Sequence, residues 1–213
     1  MTVEGYHQSR FTEDGRRDVL WQTLWRYHFS KIIAPDSCVL DLGAGYGSFI
    51  NQVIARRRIA IDLWPGFVDH IAPGVETIVG SVADLGSIEA GAVDFAFASN
   101  VFEHVSQADF ATVLAQLRSK LSVRGQLCIL QPNYHFAYRE YFDDYTHVSV
   151  YSHISLADFL RAHDYDVSDV QPRFLPLTIK SRFPVDPLLI RAYLASPFKP
   201  MGKQMLLLAR PRR

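Results

Sequence analysis

The chain has 213 residues, of which 48% are hydrophobic and 21% are charged, as in ordinary globular proteins. This length fits one α/β domain, and no apolar run approaches the ~18 residues needed to cross a bilayer. The formal net charge is zero, but residues 1–171 carry −8 and residues 172–213 carry +8. The acidic body argues against a nucleic-acid substrate.

The basic C-terminal end has more than one interpretation. It has nine Lys and Arg residues and one acid. This excess of positive charge is as consistent with a solvated surface as with contact to an anionic substrate, an acidic partner or a membrane. The two cysteines, Cys38 and Cys128, fall in predicted strands, where we expect buried, reduced thiols. Because the first seven residues lack the basic and apolar regions of a signal peptide, a cytoplasmic location is expected.

The first predicted elements run from the N-terminus to the end of the second strand. After a polar lead-in at residues 1–14, apolar positions at helical spacing predict a helix from Arg16 to Ile33 that packs on the domain or forms part of a lid. A strand at 38–42 then runs into a glycine-rich turn. The apolar pattern from Phe49 to Ile54 predicts a helix after the turn, and the cations of Arg56–Arg58 suit its C-terminal end.

Strands and helices alternate through the rest of the chain. The predicted strands lie at 58–62, 77–80, 94–99, 126–130, 165–170 and 203–209. A capping box of Ser106 and Asp109 opens a helix before the strand at 126–130. A short helix capped by Ser155 and Asp158 runs through Leu160. Such alternation is typical of a parallel sheet covered by helices on both faces. Residues 133–153, dense in aromatics and histidines, and 172–202, rich in proline, show no clean period.

The glycine turn indicates a ligand that approaches the backbone closely. Gly43, Gly45 and Gly47 stand at alternate positions, and glycine accepts positive φ without placing a Cβ against a ligand. A P-loop would need Gly-Lys-Ser/Thr, which is absent from the sequence. The dinucleotide fingerprint would need Gly or Ala where Ser48 stands, which argues against an NAD-linked oxidoreductase.

Two carboxylates flank this turn. Asp41 precedes the glycines and suits a ligand with a cationic or hydrogen-bond-donating group rather than a pyrophosphate. Asp62 ends the second strand, nineteen residues after Gly43, where α/β nucleotide sites place an acid that accepts ribose hydroxyls. A simple turn cap is the alternative role for Asp62.

Three motifs together resemble the class I S-adenosylmethionine-dependent methyltransferases. They are D-L-G-A-G-Y-G at 41–47, I-D-L-W at 61–64 and D-F-A-F-A-S-N-V-F-E-H at 94–104. The resemblance implies an α/β fold, a Rossmann-like three-layer sandwich whose seven-stranded sheet has the order 3-2-1-4-5-7-6 with the last strand antiparallel. It also implies a single methyltransferase domain over 1–213, with a helical lead-in or lid at 1–35, a cofactor-binding half at 36–132 and an acceptor-side half at 133–213.

The resemblance further implies S-adenosylmethionine as the cofactor and assigns its contacts. The implied cofactor-binding residues are Asp41, Gly43, Ala44, Gly45, Gly47, Asp62, Leu63, Asp84 and Asn100. For Trp64, contact with the adenine and an ordinary surface position are two open alternatives. Many members of the family have Asp where this chain has Ser81, so either Asp84 or the backbone at 82–83 meets the adenine amino group, and Asp84 as a helix cap is a further alternative.

Histidines after the fourth and fifth strands are candidates for catalysis. Methyl transfer to a hydroxyl requires removal of its proton, and His has a suitable pKa. His147, near a carboxylate, and His104 are the predicted catalytic residues, although a structural role is open for each. Asp143, Asp144 and His147 are potential metal ligands, but their spacing is not that of a zinc site. A magnesium-dependent site of the catechol type is an open alternative, and no metal is predicted.

The predicted function is O-methylation of a small molecule, which the basic end would suit if the acceptor were anionic. D-D-Y-T-H-V at 143–148 and later segments are also similar to bacterial methyltransferases of polysaccharide and glycoconjugate synthesis, which favours a sugar acceptor. Alternatives are a lipid or quinone methyltransferase at a membrane surface, and a non-catalytic cofactor-binding partner protein. The acceptor and the oligomeric state are not readable from the sequence.

Overall fold

The computed structural model describes residues 15–176 and 185–213. The strands are β1 (Cys38–Leu42), β2 (Arg57–Asp62), β3 (Glu76–Val79), β4 (Val93–Ser99), β5 (Leu121–Pro132), β6 (Tyr165–Pro176) and β7 (Gly202–Pro211). The helices are α1 (Gly15–Tyr27), α2 (Gln107–Lys120), α3 (Tyr134–Ala137), α4 (His153–Ala162) and α5 (Pro187–Ala195). Four 3₁₀ turns lie at Phe29–Lys31, Ile50–Gln52, Pro65–His70 and Tyr141–Asp143.

All seven of these strands form one sheet, in the order β3-β2-β1-β4-β5-β7-β6. Strands β1 to β5 pair in parallel, and β7 runs antiparallel to both β5 and β6. The predicted fold class, strand order and antiparallel last strand are therefore confirmed. Because the parallel strands share one direction, their carboxyl ends meet at one edge, where ligands bind in open α/β sheets.

Alternate residues of the central strands enter two separate cores, one on each face of the sheet. Leu40 and Ala96 belong to the core under α2 and α4, whereas Val39 and Phe97 belong to the core under α1 and the first 3₁₀ turns. Strands buried on both faces explain the near-continuous apolar runs in the sequence. The result is a three-layer sandwich.

Helix α1 covers one of these faces. The indole ring of Trp21 lies edge-on to Phe97 of β4, with 5.9 Å between ring centroids, and the ring of Phe49 lies 4.0 Å from the same Phe97 ring at an interplanar angle of 36°. The helix ends at Tyr27, and the 3₁₀ turn Phe29–Lys31 completes the segment that the sequence predicted as a single helix through Ile33. The described part of this segment packs on the domain, which is the first of its two predicted roles.

The helix predicted after the glycine turn is absent. The structure has only the 3₁₀ turn Ile50–Gln52 there, and Val53 already has extended backbone. The side chain of Asn51 explains the difference: its Nδ2 donates to His70 O and its Oδ1 accepts from Ala72 N–H, both at 2.8 Å. These bonds hold the segment against the loop after β2. The apolar spacing reflects burial of Phe49, Ile50 and Val53 without a regular helix.

Two further boundaries differ from the prediction. Ser152, rather than the Ser155–Asp158 pair, caps α4; the side chains of Ser152 and Ser155 each accept from the other's backbone N–H in a capping box. The capping box of Ser106 and Asp109 is confirmed in part, since the Asp109 N–H donates to Ser106 Oγ at 3.1 Å. Strands β5 and β6 are each 12 residues long, well beyond their predicted spans.

Part of the basic C-terminal end makes contacts within the chain. Lys203 pairs with Glu140, Arg212 pairs with Asp166, and Lys199 Nζ donates to the carbonyl oxygens of Tyr193 and Leu194. Residues 1–14 and 177–184, with Lys180 and Arg182, lie outside the described residues. Among the helices that the structure describes, none is both long and apolar enough to span a bilayer.

Candidate cofactor and acceptor site

The glycine turn leaves β1 at the carboxyl edge of the sheet. Gly43, Gly45 and Gly47 have φ angles of +71°, +51° and +66°, in the left-handed region that favours glycine. A Cβ at Gly43 would lie 2.6 Å from Val101 Cγ2, so this position has no room for a side chain. Among the described residues, none would lie within 4 Å of a Cβ at Gly45, which leaves room for a ligand beside this part of the turn.

Backbone hydrogen bonds attach the turn to β2. The N–H groups of Gly43 and Ala44 both donate to Ile61 O, at 2.8 and 3.1 Å. Asp62 adds its side chain: Oδ2 accepts the Gly45 N–H and Oδ1 accepts the Trp64 N–H, both at 2.8 Å. Asp62 thus holds the turn and the residues after β2 in place. A carboxylate oxygen has two lone pairs, so these bonds leave capacity for ligand hydroxyls.

Asp41 lies beneath the turn, where it is 3% exposed. Burial raises the pKa of this carboxyl to about 8, repulsion from Asp62 acts in the same direction, and a hydrogen bond from the Ile50 backbone opposes them. Two acidic groups so close together favour a cation or a hydrogen-bond donor as their ligand. The α-amino group of an amino acid has this chemistry.

The other predicted cofactor residues lie on the same edge of the sheet, but in different environments. Leu63 is 57% exposed, directly after Asp62. Asn100 has φ +54°, its N–H donates to Leu130 O, and its Oδ1 accepts from Gln204 Nε2 at 3.2 Å. Asp84 is exposed and caps a turn through the Gly86 N–H. No helix begins at Asp84, so this contact belongs to a turn and is not the helix cap that the sequence left open.

Aromatic rings flank the open side of the glycine turn. The rings of Tyr46 and Trp64 are 5.3 Å apart, and the imidazole of His70 contacts both, at 4.5 and 5.6 Å between ring centroids. The sequence singled out Trp64, whereas Tyr46 and His70 carried no recognisable signal. Flat rings beside an exposed Leu63 form a surface suited to an adenine base.

A second polar cluster lies at the carboxyl end of β4. Glu103 is 0% exposed, and within residues 15–176 and 185–213 neither of its carboxylate oxygens has a hydrogen-bond partner. Burial raises its pKa to about 8, and repulsion from Asp144 adds to this shift. The segment after the fifth strand reaches this position because the N–H groups of Val148 and Ser149 both donate to Glu103 O.

The structure brings His104 and His147 together at Glu103. Their ring centroids are 4.8 Å apart, and a carboxylate oxygen of Glu103 and one nitrogen of each ring lie within 4.8 Å of one another. Burial lowers the pKa of His104 to about 4, and the nearby His147 adds to this shift. Both histidines were selected from the sequence, whereas Glu103 was not singled out, although a charged residue within V-F-E-H-V is a visible signal.

Hydrogen bonds fix which nitrogen of each ring carries a proton. His147 Nδ1 lies 2.6 Å from the carbonyl oxygen of Tyr141, which can only accept, so Nδ1 donates and the lone pair is on Nε2. His104 Nδ1 lies 2.9 Å from Thr146 Oγ1, which itself donates to Asp144. Its Nδ1 therefore also donates, and the lone pair is again on Nε2.

A family model described as a methyltransferase domain matches residues 16–170. The chain therefore belongs to the methyltransferase-domain family and is an S-adenosylmethionine-dependent methyltransferase. A search of curated proteins gave no match.

Solved structures of low sequence identity share the fold. An S-adenosylmethionine-dependent methyltransferase from Archaeoglobus fulgidus is 17% identical, with a TM-score of 0.69 and coverage of 98% of this chain and 99% of that one. A methyltransferase in complex with the Trm112 activator, from Haloferax volcanii, is 16% identical (TM-score 0.69; 93% and 92% covered). Geranyl diphosphate C-methyltransferase from Streptomyces coelicolor is 13% identical (TM-score 0.61; 90% and 78% covered), and its structure contains Mg²⁺, geranyl diphosphate and S-adenosylhomocysteine.

Proposed function

We propose that this methyltransferase O-methylates a small molecule, with a sugar-like hydroxyl as the acceptor. The observation that carries the proposal is the histidine pair at the carboxyl end of β4. His104 and His147 both donate from Nδ1, so in each ring the lone pair is on Nε2, the nitrogen that acid–base or ligand chemistry would use. Such a pair suits an acceptor that must lose a proton as it is methylated, as a hydroxyl does.

The cofactor contacts follow from the geometry of the glycine turn. We propose that the backbone from Gly43 to Gly47 passes under the methionine and ribose parts, and that Asp41 faces the α-amino group. Asp62 accepts from the ribose hydroxyls with its remaining lone pairs, while Leu63, Trp64 and Asp84 border the adenine. Asn100 lies on the side of the methionine part. Residues 36–132 then form the cofactor-binding half and 133–213 the acceptor side of one domain.

The reaction is an in-line displacement at the methyl carbon. A lone pair of the acceptor oxygen forms the new O–CH₃ bond as the S–CH₃ bond breaks, and that bond's electron pair stays on sulfur, which becomes a neutral thioether. The hydroxyl proton leaves the acceptor, and we propose that His104 and His147 make its departure possible. Alignment of oxygen, carbon and sulfur supplies the rest of the rate enhancement.

The position of the histidines relative to the turn supports this assignment. Val101 contacts the position of Gly43, and His104 N–H donates to Val101 O at 3.0 Å. A span of two residues is at most about 7 Å, so Glu103 lies close to the glycine turn. We propose that a hydroxyl beside the histidines faces the methyl group of a cofactor held at the turn, since both lie at the carboxyl edge of the sheet.

A panel of matched acceptors tests the proposal. Sugars and phenols would be compared with the amino sugars and anilines of the same shape, using a cofactor labelled in its methyl group and mass spectrometry of the product. The expected result is one added methyl on oxygen, with turnover of the hydroxyl compounds only. Turnover confined to amines would overturn the proposal, and tight cofactor binding without any turnover would favour the non-catalytic partner protein.

The internal contacts of the basic C-terminal end favour a soluble acceptor over a membrane-bound one. Because Lys199, Lys203 and Arg212 bond within the chain, that part of the positive charge serves the fold. We therefore favour a small soluble acceptor over a lipid or quinone. Sedimentation with anionic liposomes checks this preference: co-sedimentation of the protein at physiological salt would favour the membrane alternative.

A further inference from the structure

A buried carboxylate between two histidines needs a partner. Glu103 is fully buried, and no hydrogen-bond partner for either of its carboxylate oxygens lies among the described residues. Buried polar groups in proteins are nearly always paired, so an orphaned carboxylate points to something that binds there. One ring nitrogen of His104 and one of His147 lie within 4.8 Å of a carboxylate oxygen of Glu103 and of each other.

The tautomers of both histidines suit metal binding. A histidine that ligates a metal through one nitrogen usually donates its other N–H to a carbonyl or carboxylate, which fixes the orientation of the ring. His147 donates from Nδ1 to the Tyr141 carbonyl, and His104 donates from Nδ1 to Thr146, which Asp144 holds in turn. Both Nε2 lone pairs are therefore oriented by an outer layer of hydrogen bonds.

We propose that Glu103, His104 and His147 bind one divalent transition-metal ion of the zinc type. Two imidazoles and one carboxylate are a known ligand set for catalytic zinc, which keeps a further position open for water or substrate. Magnesium prefers oxygen ligands only, so the two nitrogens select against it. Ligand atoms about 2.1 Å from a zinc ion are about 3.4 Å apart, so the three side chains would close by about 1 Å on binding.

The ligand set differs from the one that the sequence suggested. Sequence analysis weighed Asp143, Asp144 and His147 and predicted no metal. In the structure Asp144 accepts from the backbone and the hydroxyl of Thr146 and so belongs to the outer layer. Glu103 takes the place of the carboxylate, 44 residues before His147 in the sequence.

The role of the ion in catalysis rests on the proposed function. An acceptor hydroxyl in the open position of the ion would become more acidic, as water does when bound to zinc. Its proton would pass to solvent water before the oxygen attacks the methyl group. His104 and His147 would then act as ligands of the ion rather than as bases.

Metal binding is measured without cofactor or acceptor, so that it is tested separately. The full-length protein, stripped with a chelator, is titrated with Zn²⁺ by calorimetry and with Co²⁺ by visible absorption, and the metal content is measured after dialysis. We expect one ion per chain with a Kd in the micromolar range or below, a cobalt spectrum typical of nitrogen and oxygen ligands, and at least ten-fold weaker binding of Mg²⁺.

Three substitutions identify the ligands. Glu103→Gln and His147→Gln should each weaken Zn²⁺ binding at least ten-fold. His163→Gln is the matched control because His163 also has Nδ1 against a carbonyl oxygen, that of Phe159 at 2.8 Å, and it lies at the end of α4. Zinc should raise the melting temperature of the wild type and of His163→Gln, but not that of Glu103→Gln.

The outcomes separate the two proposals. Absence of Zn²⁺ binding in the wild type, or equal binding by the wild type and Glu103→Gln, would overturn the metal site. If His147→Gln does not fold, Glu103→Gln still decides, because Gln keeps the shape of a buried side chain whose oxygens have no hydrogen bond to lose within the described residues. Metal binding together with a failure to methylate any hydroxyl would leave the site intact and overturn the proposed function.

Discussion

Asp62 and Gly45, 17 residues apart in the chain, are joined by a hydrogen bond of 2.8 Å from the Gly45 N–H to Asp62 Oδ2. The same carboxylate accepts the Trp64 N–H, so one side chain connects the glycine turn to the end of β2. Both segments border the open side of the turn. The arrangement of the cofactor site thus depends on a residue that is itself proposed to contact the ribose.

Replacing Asp62 with Asn should weaken cofactor binding strongly. The amide can accept with only one of its two ends, so either the Gly45 or the Trp64 N–H faces another donor, at a cost of about 1–3 kcal/mol. We expect at least ten-fold weaker binding of S-adenosylhomocysteine, measured by calorimetry. Asp69→Asn is the control, because it removes the same charge from an exposed position seven residues away. Equal affinities of the two variants would contradict the assignment.

A Cβ at Gly45 should block the cofactor more than it destabilises the fold. Gly45 and Gly91 have φ angles of +51° and +68°, and in the part of the chain that the structure describes no atom lies within 4 Å of an added Cβ at either. Gly45→Ala and Gly91→Ala should therefore lose similar stability, about 1–2 kcal/mol for a left-handed alanine. Only Gly45→Ala should lose affinity for S-adenosylhomocysteine. Urea unfolding and calorimetry on both variants measure the two effects, and equal loss of affinity would show that Gly45 does not line the site.

Local sequence was sufficient for the sheet and for the glycine turn. Strands such as β1 and β4 are apolar on both faces, and the alternation of strands and helices together with the three motifs predicted the strand order. The segment after the turn was wrongly predicted as a helix because apolar spacing reports only burial. Its conformation depends on bonds from Asn51 to residues 70 and 72, and no pattern within residues 49–58 contains that information.

The residues at the rim of the site were predicted only in part, and the reason for the failure is related. His104 and His147 stood out by residue type, but nothing in the sequence indicates that residues 146–149 fold back on Glu103. The backbone bonds from Val148 and Ser149 to Glu103 O make that contact, and they depend on the chain path after β5. The pairing of distant segments through backbone atoms leaves no trace in the residue types, and the role of Glu103 was missed for this reason.

Cofactor binding near neutral pH should release a proton from Asp41. The pKa of its carboxyl is raised to about 8 in the free protein, mainly by burial, so at pH 7 this group is mostly protonated. A bound α-amino cation would lower that pKa and expel the proton. Calorimetry of S-adenosylhomocysteine binding in buffers of different ionisation enthalpy should show a release approaching one proton per site. Asp41→Asn should abolish it, and an unchanged release in that variant would contradict the contact.

The same pKa shift predicts how Asp41 affects stability. The native state keeps the proton up to about pH 8, whereas the unfolded chain loses it near 3.8, so this group makes the free energy of unfolding fall as the pH rises between those values. Asp41→Asn should remove that decline. Urea unfolding of both proteins at pH 5 and pH 8 measures it, and parallel changes in the wild type and the variant would contradict the shift.

His28 should make the free energy of unfolding fall as the pH falls, which is opposite to the effect of Asp41. Its imidazole packs against Phe29 and Phe174, and its buried Nε2 has no hydrogen-bond partner. Burial lowers its pKa to about 4, and the charge of Lys31 contributes to this shift. The unfolded chain takes up a proton near pH 6.5 and the native state only near 4, so this group lowers the free energy of unfolding as the pH falls through that window.

His28→Phe should therefore make the protein less sensitive to acid. The ring is retained for packing against Phe174, while the titrating group and the unpaired Nε2 are removed. Between pH 7 and pH 4.5 the wild type should lose about 2 kcal/mol more unfolding free energy than the variant. Because Asp41 acts in the opposite sense over the same range, the difference between the two proteins is the quantity to measure, by urea unfolding at both pH values. Any change in packing appears already at pH 7, so an equal loss in both proteins would show that His28 does not control the acid response.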